Sequence, residues 1–405
     1  MRVACTALAL SGVVMLCPGP AGAQTVLTLA DVLAKARDQA PRIVSARLAL
    51  AETRGRLVGA SMRYQSNPEL DVVFGTRAGA NPRSTDFQLG AAQMFEPAAR
   101  RAARVGGATA QIDEGIAMAE ETTRDVLREA AATFYQAVYA AERVRLTVAS
   151  VDLANSIFQA ADRRFRAGDL AVLDVNLARS AVARARAERE AAEADQAVAL
   201  GALQAQIRLE GSIAVEGTLA ATEAPDIAAL TQSLDQRPEL RALAAAIRAA
   251  EADLALAQSL SKANYGVGIR VQRESGDNIV LGGFTVSLPT FSKGQELNAT
   301  GTARAARLRF ELEAARARLR IELRTALATH RHRVAAARLL EAEVLPGLDE
   351  NAALTTRSFD VGQIGLPDVL LIRRELLETR SQYLSALLEA ALARVAVDAT
   401  AGVLR

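Results

Sequence analysis

From Ala98 to Arg166 the apolar positions recur at helical spacing, with Ala, Arg and Glu filling the steps between them, and no proline occurs between Pro97 and Pro225. The pattern breaks at Ala167-Gly168-Asp169. Gly168 can take the left-handed conformation that ends a helix, and Asp169 is placed to cap the next. The spacing therefore predicts one helix ending at Arg166 and a partner from about Leu170 to Leu209. At about 1.5 Å per residue the first helix is on the order of 100 Å long, far beyond a globular domain. A second pair is predicted from Gly294 to Phe359 and from Pro367 to Thr400. Pro346-Gly347 predicts a kink in its first member, while Pro367 falls in a first helical turn, where its missing N–H is harmless.

The segments ahead of each long helix have a period of two. Leu70-Asp-Val-Val-Phe74 and Phe87-Gln-Leu-Gly-Ala91 alternate around the turn residues Ala78–Pro82, and Val267-Gly-Ile-Arg-Val-Gln272 alternates before Ser275-Gly-Asp-Asn278. Each reads as a β-hairpin inserted between helices. Val267, Ile269 and Val271 would share one face and Gly268, Arg270 and Gln272 the other, a pattern that suits lipid on one side and water on the other. A soluble hairpin on a small core shows the same periodicity.

The two halves repeat. Arg163, Phe165, Gly168, Leu170, Asp174 and Val175 recur 194 positions later as Arg357, Phe359, Gly362, Ile364, Asp368 and Val369. Asp38-Gln-Ala-Pro41 matches Asp235-Gln-Arg-Pro238 at a spacing of 197. A duplicated unit of this length predicts two repeats. The first spans 24–224, with strands near 67–77 and 84–96 and a tip at 167–170; the second spans 225–405, with strands near 264–274 and 278–289 and a tip at 361–366.

Composition narrows the chemistry. Residues 1–23 show a basic start, an apolar run and Ala21-Gly22-Ala23, the marks of a cleaved secretory signal; Cys17 offers a rival lipoprotein signal, but Leu16 stands where such signals carry a small residue. Both cysteines, Cys5 and Cys17, would leave with the leader. Beyond it no run approaches the roughly 18 apolar residues of a spanning helix, so membrane passage would need strands of a closed barrel. The net charge of +2, with Arg and Glu interspersed, argues against a nucleic-acid partner. His330 and His332 lie two apart on a predicted helix, without ligands at metal spacing, and read as solvated residues. No catalytic constellation, metal cluster or cofactor motif is present, so the residues suggest no enzyme. Four strands cannot close a barrel, and lipid-facing edges must be paired. Three copies would supply twelve strands.

The paired F-x-x-G-x-[LI]-x-x-x-D turns, the D-Q-x-P openings, the strand end Val286-Ser-Leu-Pro-Thr-Phe291 and the Pro346-bearing E-V-L-P-G segment together resemble the outer-membrane efflux protein family, the TolC-like channels. The likeness covers nearly the whole chain after the leader. It implies a mainly α fold with a small β part: a homotrimer with a 12-stranded β-barrel in the outer-membrane lipid, continued by a helical barrel in the periplasm. Its partners would be a periplasmic adaptor and an inner-membrane pump of the RND type. Phe95-Glu-Pro-Ala-Ala-Arg-Arg101 is similar to a segment of the heavy-metal cation efflux branch, with Ala99 in place of its glycine.

The resemblance gives the turns roles. Gly168, Asp169 and Leu170, with Gly362, Gln363 and Ile364, match the adaptor-docking tips, and Asp174 and Asp368 match carboxylates of the periplasmic gate. Ile364 stands where some relatives carry an arginine, and Leu371 where a second carboxylate ring occurs, so at most one ring is implied. Read alone, Asp174 and Asp368 are also ordinary first-turn carboxylates that favour the helix dipole. The implied function is passive conduction of metal cations or small toxic compounds in efflux. A periplasmic adaptor, with its own long α-hairpin, and a type I secretion channel are the alternatives.

Overall fold

The computed structural model describes residues 25–77, 84–223, 226–274 and 276–404. The expected leader, the turn at Ala78–Pro82 and Ser275 lie outside the described residues. In chain order the elements are β1 (Thr25–Leu27), α1 (Leu29–Gln39), α2 (Pro41–Ser61), β2 (Glu69–Arg77), β3 (Ser84–Phe95), α3 (Ala98–Arg166), α4 (Val172–Ile207) and β4 (Ile213–Val215). There follow α5 (Ile227–Leu234), α6 (Pro238–Leu260), β5 (Asn264–Glu274), β6 (Asp277–Ser287), α7 (Gln295–Leu339), α8 (Leu345–Asp360) and α9 (Leu366–Ala401). The second half thus repeats the first, helix by helix, around its own hairpin.

Helix α3 is continuous over 69 residues, on the order of 100 Å. Its partner in the second repeat is interrupted. Between α7 and α8 the residues Leu340–Val344 form a π-helical turn, closed by the Leu345 N–H on the Leu340 carbonyl. Pro346 follows at once. Its ring crowds the carbonyl four residues back and its nitrogen cannot donate, so the ladder widens by one residue just before it. That is the form the predicted kink takes.

The long helices approach one another through small side chains. Ala245, Ala246, Ala249 and Ala250 of α6 are buried between α3 and α7, and Leu254 of α6 packs where Gly301 of α7 has no side chain. Bulkier cores sit near the middle of the assembly. Phe134 of α3 is buried with Val32, Ile43, Leu203, Ile207 and Ile213, beneath the parallel β1–β4 pair. The matching core of the second repeat joins Leu234, Leu240, Leu319, Leu323, Leu327 and Val397. The short elements β1, β4, α1 and α5 build these cores, α1 by turning Val32 and Ala36 inward at helical spacing. His330, expected to be solvated, is instead 1% exposed, and neither ring nitrogen has a partner. His332 is exposed.

Strands β2, β3, β5 and β6 form one antiparallel sheet in the order β2-β3-β5-β6, and β2 and β6 are open edges. The hairpins of the two repeats are joined through β3 and β5, with Leu89 opposite Val271 and Ala91 opposite Ile269. The register divides the sheet into unlike faces. Leu70, Val72, Val267, Ile269, Val280 and Phe284 share one face and are all exposed, whereas Asp71, Gln88, Gly90, Arg270, Gln272 and Thr285 share the other. Large exposed apolar area on one face of a sheet is what a lipid-facing surface requires.

Candidate functional site at the helical tips

Both α-hairpins turn in the same way. At the first, Gly168 has φ +85°, its N–H reaches the Phe165 carbonyl at 2.9 Å, and the Asp169 N–H reaches the Arg164 carbonyl at 2.9 Å. At the second, Gly362 has φ +77°, its N–H reaches Phe359 at 3.0 Å, and Gln363 reaches Ser358 at 2.8 Å. This is the Schellman closure, and its left-handed residue is glycine because a Cβ there meets its own backbone. Asp169 does not cap α4 as expected. The N-cap is Ala171, with no side-chain bond, because the closure places Leu170 and Ala171 between Asp169 and the first helical turn.

The two tips share a fold but not an environment. Phe359 and Leu366 are 3% and 1% exposed, while their repeat partners Phe165 and Val172 are 41% and 60% exposed. Phe359, Leu366 and Val369 of the second tip are buried against Ile157, Ala161 and Ala178 of the first hairpin, with Leu170 and Ile364 packed at the edge. The second tip is therefore wedged into the first.

Arg164 secures the wedge. It donates through Nη1 to the Phe359 carbonyl at 3.0 Å, lies 5.1 Å over the centre of the Phe359 ring, and would stand 3.5 Å from a Cβ placed on Gly362. A cation at the C-terminal carbonyls of α8 also complements that helix's dipole. Higher in the bundle, the buried Arg373 of α9 donates to the Leu153 carbonyl of α3 at 3.2 Å and to Thr356 Oγ1 of α8 at 3.4 Å. Sequence reading passed over both arginines. One faint signal existed for Arg164: the repeat places Ser358 opposite it, so the position had diverged.

Asp174 is half-buried in the first turn of α4, and Asp368 is exposed in the first turn of α9. Among the described residues neither carboxylate has an ion-pair or hydrogen-bond partner within the chain. Gly168, Asp169, Gly362 and Gln363 are exposed at the extremity, and Leu170 and Ile364 are half-buried beneath them. No group of three or more His, Cys, Asp or Glu side chains able to hold a metal ion occurs among the described residues. No helix there is long and apolar enough to cross a membrane.

Residues 32–207 match the model of the family described as outer membrane efflux protein. The cobalt-zinc-cadmium resistance protein CzcC of Cupriavidus metallidurans is 28% identical over 394 residues, 95% of this chain and 92% of its own. Among solved structures, a CusC channel superposes with a TM-score of 0.79 at 16% identity, covering 92% of this chain and 91% of that one. The open-state MtrE outer membrane channel of Neisseria gonorrhoeae gives 0.76 at 17% identity, covering 93% and 89%. The family model covers the first repeat, while the similarity to CzcC and to the solved channels runs through both, so the chain is similar to the outer membrane efflux proteins and shares the fold of the solved channels.

Proposed function

We propose that three copies of this chain close into a single passive outer-membrane conduit that carries divalent metal cations outward. The observation that carries the reading is the pairing of an open, two-faced, four-stranded sheet with helices on the order of 100 Å long that meet in tips at their far end. An open sheet with an apolar face is stable in lipid only when β2 and β6 find partners, and copies of the same chain supply them. Aromatic pairs support the placement. Phe74 and Phe87 pack at a tilt 5.3 Å apart near the hairpin turn, and Phe95 and Tyr265 stack at 6.0 Å near the helices. Phe87 and Phe95 lie eight residues apart in β3. At about 3.4 Å per residue and the usual tilt this is roughly 20 Å, close to the apolar band of a membrane barrel with its aromatic girdles.

At the other end, Asp368 and Asp174 line the entrance as a cation-attracting carboxylate ring. The turns with Gly168, Asp169, Leu170, Gly362, Gln363 and Ile364 dock a periplasmic adaptor that links the channel to an inner-membrane pump. The exposed Phe165, Val172 and Leu173 of the first tip receive the neighbouring protomer. The metal cargo rests on the similarity to the cobalt-zinc-cadmium resistance protein. The channel supplies a path and a field, and the pump supplies the driving force. Deleting the gene should lower tolerance to cobalt, zinc or cadmium, with the wild-type gene restoring it. Undiminished growth on all three metals would contradict the cargo.

A further inference from the structure

The chain has three lysines among its 48 basic residues, and two of them, Lys262 and Lys293, flank the second β-hairpin where the sheet meets the helices. Both are exposed, and among the described residues neither ammonium has an ion-pair or hydrogen-bond partner. Both sit at the C-terminal end of α6. Arg100 donates to the carbonyls of Ser259 and Lys262 at 2.9 and 3.1 Å, and a Cβ on Gly294 would lie 2.6 Å from the Ala257 carbonyl oxygen.

At the same level an aromatic row crosses the apolar face. Tyr64 packs edge-on against Phe95 at 5.6 Å, Phe95 stacks on Tyr265, and the Arg63 guanidinium lies 5.5 Å over Tyr64. Beyond the end of β6, Leu288 is 70% exposed and Phe291 is 90% exposed, five and two residues before Lys293. Of the carboxylates here, Glu96 is neutralised by Arg104 at 2.5 Å. That leaves Glu69 and Glu296 against Arg63, Arg100, Arg101, Lys262 and Lys293, a clear cationic excess.

We propose that this collar binds the phosphodiester headgroups of anionic phospholipid in the leaflet nearest the helical barrel. Phe291 and Leu288 enter the acyl boundary, the aromatic row sits at the interface, and the two lysines reach the phosphates on flexible stems. Lysine suits this work better than the chain's usual arginine, because a compact ammonium on a four-carbon stem can follow a mobile headgroup. The inference rests on the reading of the sheet as membrane-embedded.

The test uses the full mature protein in detergent, titrated with phosphatidylglycerol or phosphatidylethanolamine of identical chains and read by native mass spectrometry. Wild type should retain phosphatidylglycerol on the order of tenfold better. The double variant Lys262→Gln with Lys293→Gln should lose that preference while keeping its circular dichroism and melting behaviour. Lys35→Gln, which removes the third lysine, should keep the preference, and Phe291→Ser should weaken retention of both lipids. Equal retention of the two lipids by wild type, or a preference that survives in the double variant, overturns the collar while leaving the membrane reading intact. Failure of wild type to enter vesicles of either lipid contradicts the membrane reading itself.

Discussion

Arg164 and Ser358 occupy equivalent places in the two repeats, and the arginine crosses to the other tip, a reach that a short serine side chain does not have. Arg164→Ser should therefore free the second tip without unfolding the bundle. In planar bilayers we expect more frequent opening to higher conductance; an unchanged conductance distribution would remove Arg164 from the closure. Asp368→Asn should leave conductance broadly intact but lower cation selectivity, read as a shift in reversal potential under a salt gradient. His330 gives a pH prediction. Burial, with Arg394 adding to it and Asp398 opposing, holds its proton affinity below the ordinary value. The unfolded chain takes up a proton that the fold refuses, so stability is full above about pH 6.5 and falls as the pH drops below it, by up to about 1.4 kcal/mol per unit. His330→Phe should flatten that fall in melting curves between neutral and mildly acid pH. Neither Arg164 nor His330 was legible in the sequence. Arg164 meets Phe359 from 195 positions away, and burial of His330 depends on packing that helical periodicity does not report.

Elements were far more readable than contacts. The long helices, their breaks at Gly168 and Gly362 and the inserted hairpins follow from proline placement, a switch of period from 3.6 to 2 and turn chemistry. Failures came where local rules compete. Asp169 is a good capping residue, but the closure ahead of it fixes Ala171 at the N-cap. Where proline alone decides, the expectation holds: the break predicted at Pro346 is the π turn just before it. The tips make an element-scale prediction. Alanine at Gly168 or Gly362 should impose the same left-handed strain, about 1–2 kcal/mol. A Cβ at Gly168 meets nothing within 4 Å, whereas one at Gly362 meets Arg164. At 3.5 Å that is ordinary contact, so strain alone acts: Gly168→Ala and Gly362→Ala should lower the melting temperature alike, and a markedly larger fall at Gly362 would contradict this. The end of α9 is held by another buried arginine: Arg237, 3% exposed, donates to the Thr400 carbonyl at 2.5 Å and to Glu121 at 3.3 Å. Arg237→Met should lower stability by about 3 kcal/mol in detergent melts, because it leaves α9 carbonyls buried without donors.

At the scale of the whole molecule, one chain presents several unfinished surfaces. The sheet has two open edges and an exposed apolar face, and the first tip exposes Phe165, Val172 and Leu173 while the second buries its counterparts. In the proposed trimer these surfaces would meet on neighbouring copies related by rotation around one axis. The measurement that tests this most directly is the native mass of the mature protein in mild detergent, taken together with channel activity of the same preparation. A trimer that conducts in planar bilayers is the predicted result. A stable monomer, or a trimer without conductance under any voltage, would contradict the account.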